Sequence, residues 1–94
     1  MEEMKEKPEE RSALADLMRI PGVGKSIAHD LINIGYYSVD DLVGENPEEM
    51  YSKLCVFQGG HVDRCVLYVF RCAVYFSENE IRDPELLKWW NWKD

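Results

Sequence analysis

The string Leu17-x-x-Ile20-Pro21-Gly22-Val23-Gly24-Lys25-x-x-Ala28-x-x-Leu31 constrains this chain more than any other feature. Upstream of it, Leu14, Leu17 and Met18 keep one helical face apolar, and Pro21 ends that run because it disfavours a helical residue before it. Downstream, Ile27, Ala28, Leu31 and Ile32 recur at helical spacing, with Gly35 placed to end the second helix. The glycines at 22 and 24 supply backbone freedom for a tight reversal, and Gly24 in particular is expected to need it. Val23 is placed to plug back between the helices, and Ala28 lets them cross closely. The pattern predicts a helical hairpin whose second helix starts with unsatisfied N–H groups beside Lys25, a ready seat for a phosphate.

The rest of the chain reads as helical too. Ser38 with Asp41 resembles a capping box for a short helix over 38–43, and Asn46-Pro47 sets a cap and first-turn proline for a helix through Cys55. Gln58-Gly59-Gly60 breaks that helix, a long one follows over 61–76, and Asp83-Pro84 caps a last short segment carrying Trp89, Trp90 and Trp92. No stretch alternates convincingly, so the fold class is all-α, a compact bundle of five to six helices. With 94 residues there is room for one domain, and 46% hydrophobic residues suffice for a packed core. Residues 1–10, with two Lys and five Glu, read as a flexible acidic lead, leaving 11–94 as the domain.

A shift of 37 residues aligns Leu17 with Leu54, Ile20 with Phe57, Gly22 with Gly59, Ala28 with Cys65 and Leu31 with Tyr68, without a gap. The copy departs at the turn, where Gln58, His61 and Val62 stand for Pro21, Gly24 and Lys25. The first hairpin strongly resembles the helix-hairpin-helix motif of DNA-binding proteins without sequence specificity. The two copies together resemble the tandem, pseudo-twofold form of that fold, with the second hairpin degenerate and left to scaffolding. The string from His61 to Phe76, followed by Pro84-Glu-Leu-Leu-Lys-Trp-Trp-Asn-Trp-Lys93, is similar to the small bacterial "pathogenicity locus" family, some of whose members carry the label mitomycin resistance. What this resemblance implies is the fold, a bacterial origin and a role in DNA handling or repair. In the hairpin family, backbone amides hold a phosphate, often with a monovalent cation on loop carbonyls.

The expected site is therefore Gly22, Val23, Gly24, Lys25 and Ser26, the expected partner is the DNA backbone, and beyond that cation no cofactor is expected. The net charge of −7 makes such binding weak and salt-sensitive, because the favourable charge is local: residues 11–35 are net +1 while 36–60 are net −4. The same acidity supports a competing expectation, a protein-interaction module that self-associates or recruits a partner through the connector or the tryptophan tail. Arg64 and Arg71, nearly on one helix face, are expected to pair with Asp40, Asp41 or Glu78. Cys55, His61, Cys65 and Cys72 read as packing residues, since Cys65 and Cys72 are about 10 Å of helix apart at about 1.5 Å per residue and cannot share one metal. Cys65, aligned with Ala28, is expected at a close helix crossing. The face Leu86, Trp89, Trp90 and Lys93 is expected to cover the long helix.

No catalytic triad or paired-carboxylate site is visible. Gly24-Lys25-Ser26 echoes the end of a nucleotide-binding loop, but Arg19 stands where that loop needs glycine, so no enzymatic activity is expected. The three cysteines show no C-x-x-C spacing and the start lacks a signal peptide's apolar run, which together point to a reducing cytoplasm. No segment reads as a membrane span, because the run over 61–76 is interrupted by Arg71 and is shorter than the roughly 20 residues a bilayer needs.

Overall fold

Four α-helices carry the chain in the computed structural model, which describes residues 8–94, with side chains from Glu10 onward. They are α1 (Pro8–Leu17), α2 (Lys25–Asn33), α3 (Pro47–Gln58) and α4 (Arg64–Glu78), and no strand occurs among the described residues. The acidic lead expected over 1–10 lies outside the described residues as far as residue 7, and from Pro8 the chain is already helical.

The helix count is lower than the sequence suggested. The segments Val39–Leu42, Pro84–Leu87 and Trp89–Trp92 are single 3-10 turns. Each is too short to repay the nucleation of an α-helix, so the capping signals close one turn and stop there. Ser38 Oγ accepts from the Asp41 N–H at 3.2 Å, and Asp83 Oδ1 accepts from the Glu85 N–H at 2.9 Å. Asp41 reaches back one residue further than a capping box requires, its carboxylate accepting from the Tyr37 N–H at 2.9 Å.

One core unites these pieces. Leu17, Ile20, Leu31, Leu42, Met50, Leu54, Leu67, Phe70 and Cys72 are all fully buried, and no polar or charged residue is buried among the described residues. The 38–45 connector is tied to both ends of the bundle: the Val39 N–H donates to Asp16 on α1 at 2.7 Å and the Gly44 N–H to Glu78 on α4 at 2.7 Å. α4 is the central strut, touching the connector, α3 and the tail. No described helix is long and apolar enough to cross a membrane.

Candidate nucleic-acid interface

Ile20 to Val23 forms a type II turn, the arrangement that Pro-Gly at its centre favours. The Val23 N–H donates to the Ile20 carbonyl at 3.0 Å, with Gly22 at φ +88°. Ile20 and Val23 both point into the core, so the turn is pinned from both ends and its orientation is set by packing. Gly22 is required twice over. Its φ is one that other residues rarely adopt, and an added Cβ would stand 2.9 Å from Cδ1 of Trp89, 67 residues away in the chain.

Gly24 corrects the sequence expectation. It lies at φ −92°, ψ −171°, an extended conformation open to any residue, and a Cβ there would meet nothing within 4 Å. It serves as the N-cap of α2 and offers no side-chain cap. The first turn of α2 thus projects N–H groups that no intrahelical carbonyl can reach, with Lys25 and Ser26 exposed on the same turn. Of the five expected site residues, Val23 is set apart: its side chain is core and its N–H is spent inside the turn.

The second turn keeps the left-handed glycine but not the chemistry. Gly59 has φ +75°, as Gly22 has +88°, and the two stand 37 residues apart. Beyond them the spacing becomes 39. Val62 is buried as Val23 is, Asp63 caps α4 as Gly24 caps α2, Arg64 opens α4 as Lys25 opens α2, and Phe70 is fully buried as Leu31 is. The gapless alignment accordingly fails at Cys65, which falls on the exposed first turn of α4 rather than at a helix crossing. Asp63 Oδ1 accepts from the Cys65 N–H at 2.9 Å, a bond that holds the carboxyl below its ordinary pKa. A negative charge therefore already sits where an incoming phosphate would go.

The other candidates also find definite places. Arg64 and Arg71 do not pair with Asp40, Asp41 or Glu78. Arg64 Nε bonds Asp94 at 2.6 Å, while Arg71 pairs with Asp94 and with Glu48, each at 2.8 Å. The tail does cover α4, with Trp92 in place of Trp90: Trp89 packs against the core, Trp92 packs on Tyr75 with ring centroids 5.7 Å apart, and Trp90 is 50% exposed. The break at Lys88, where the chain is extended between two turns, rotates Trp90 outward relative to a continuous helix. Cys72 is buried, and burial pushes its thiol up to about 11, which keeps it protonated and inert at neutral pH. Among the described residues no three or more His, Cys, Asp or Glu side chains come together as a metal site.

An all-helical domain with an uncapped, glycine-started helix at a pinned turn is the class of molecule these features define. The chain belongs to the family described as "Pathogenicity locus", whose model matches residues 10–94. Searches of curated proteins and of solved structures return no match.

Proposed function

We propose that α1, the Ile20–Val23 turn and α2 form a helix-hairpin-helix element, paired with a degenerate second copy in α3 and α4, and that the chain binds the DNA backbone without sequence specificity. The observation that carries this reading is the start of α2, where Gly24 supplies no side chain to the helix terminus and Lys25 and Ser26 stand exposed on the same turn. In this reading the N–H groups of that turn hold one phosphate, Lys25 adds a point charge and the Ser26 hydroxyl a further donor. Gly22 and Val23 act by shaping and anchoring the turn. The resemblance also implies a monovalent cation there. Such an ion would be held by backbone carbonyls of the Ile20–Val23 turn.

Binding of a fluorescent duplex across a salt series tests the proposal. A log-log slope of about −0.9 per contacted phosphate is expected, with retention at low salt lost in Lys25→Glu. Absence of retention by the wild-type chain at about 20 mM salt, where screening is weakest, overturns it. One observation favours a second reading, a self-associating interaction module. Val56 and Phe57, adjacent on α3, are 81% and 57% exposed. Sedimentation of wild type against Phe57→Ser separates the two: a dimer that dissociates in the variant supports the second reading.

A further inference from the structure

The carboxylate of Asp94 is held by three donors presented on α4. Arg64 Nε reaches it at 2.6 Å, Arg71 Nη2 at 2.8 Å and the Tyr68 hydroxyl at 3.3 Å. These residues occupy positions i, i+4 and i+7, so they share one face of the helix. Two guanidiniums and a hydroxyl converging on one pair of oxygens make the arrangement that recognises a phosphate diester as well as a carboxylate. Arg71 is built in independently of Asp94. It donates to the Trp92 carbonyl at 2.7 Å and pairs with Glu48 at 2.8 Å, its guanidinium lies 5.7 Å from the Tyr68 ring centroid, and its side chain is only 19% exposed. Removing the Asp94 charge therefore leaves Arg71 oriented and Arg64 unneutralised.

We propose that Arg64, Tyr68 and Arg71 form a second anion site, for a DNA backbone phosphate, which the tail residue Asp94 occupies as an internal competitor. The proposal rests on the DNA reading above. It also gives the second half of the molecule a place in that reading: the helix start is closed by Asp63, but the cation that opens α4, Arg64, points to a receptor one turn further along. The ion pairs at the site join Arg64 and Arg71 to Asp94 and Glu48, and neutralising Asp94 leaves one arginine charge more than carboxylate charge within that set. The Coulomb energy that now closes the tail onto α4 becomes available to an external phosphate.

The test compares wild type, Asp94→Asn, Arg64→Gln and the double variant on one short duplex across a salt series. Asp94→Asn is expected to bind several-fold more tightly at low salt, with a slope steeper by about 0.9, the mark of one more phosphate. Arg64→Gln should erase the gain in Asp94→Asn and return its slope to the wild-type value. An unchanged slope in Asp94→Asn overturns the proposal, and so does a gain that survives Arg64→Gln. Lys25→Glu in each background separates the two sites. Loss of wild-type binding with no gain from Asp94→Asn leaves the hairpin reading standing and removes this one, and the converse result does the opposite. Should Asp94→Asn loosen the tail, titrating the wild-type chain with inorganic phosphate while following the Arg64 and Arg71 Nε–H resonances gives an independent reading. Movement of both, absent in Arg64→Gln for the remaining resonance, supports the site, and no movement up to high phosphate overturns it.

Discussion

The two turns of this molecule share a left-handed glycine and differ in the chain around it and in what they present to the outside. Gly22 and Gly59 adopt nearly the same left-handed φ, a buried valine follows one residue after Gly22 and three after Gly59, and each turn leads into a helix through a single cap residue. At the first turn the cap is glycine and the helix start is followed by Lys25; at the second it is Asp63, whose carboxylate satisfies the helix from within. Turn geometry and anion chemistry are thus separable. A chain can retain a reversal for packing while one substitution at the cap withdraws its helix start from any outside anion.

The comparison breaks most visibly at the glycines. Gly22→Ala meets both an unfavourable φ and Trp89, so about 2–4 kcal/mol of stability should go, against about 1 kcal/mol for Gly59→Ala, whose added Cβ meets nothing. Gly24→Ala should be nearly silent in the same urea melts. Comparable losses at 22 and 59 would mean Trp89 yields freely. The shifted spacing is checked next: Ala28→Leu, at a fully buried site, should lose about 1–3 kcal/mol, while Cys65→Leu on the exposed turn should stay within about 0.5 kcal/mol. Equal losses would restore the gapless alignment. Asp63→Ala removes the α4 cap and should lower stability by about 1 kcal/mol, whereas Gly24→Asp, which writes the second turn's cap into the first, should raise or preserve the melting temperature while abolishing DNA retention.

The smallest effect is an acid one. The two arginines hold the Asp94 carboxyl down to about 2, against an ordinary value of 3.8. Between those values the unfolded chain binds the extra proton, so the stability that Asp94 adds is complete above about pH 4 and is lost as the pH falls toward 2. Both Asp94 and Arg64 are about half exposed, which keeps the contribution small. Melting temperatures of wild type and Asp94→Asn, measured from pH 5 to pH 2, should converge toward the acid end. Parallel curves would show that the clamp adds nothing.

Much of this was legible in the order of residues. The end of α1 and the start of α2 on either side of the Ile20–Val23 turn follow from local rules, because Pro21, Gly22 and the spacing of Leu17, Ala28 and Leu31 act within a few residues of one another. Asn46 and Pro47 opened α3 where expected, with Asn46 accepting from the Glu48 and Glu49 N–H groups at 2.8 and 3.3 Å. The misreadings have a common origin. Gapless alignment could not show that α4 starts only at Arg64 and leaves Cys65 on its exposed first turn, and helical spacing in the tail could not anticipate the break at Lys88. Two residues of the proposed second site, Arg64 and Arg71, were visible on one helix face, but nothing local added Tyr68 to them or tied them to Asp94, which lies 23 to 30 residues further on.

By itself, the sequence determined the helical class, the place of each reversal and which residues open α2, since capping, glycine φ and proline stops operate at short range along the backbone. Tertiary structure alone decided which glycine is indispensable, which tryptophan faces water, which acids the two arginines hold and which register the second half follows. Those outcomes depend on which surfaces meet when one core closes around α4, and the meeting of Trp89 with Gly22 or of Asp94 with Arg64 is set by packing across the fold, where residue spacing carries no information.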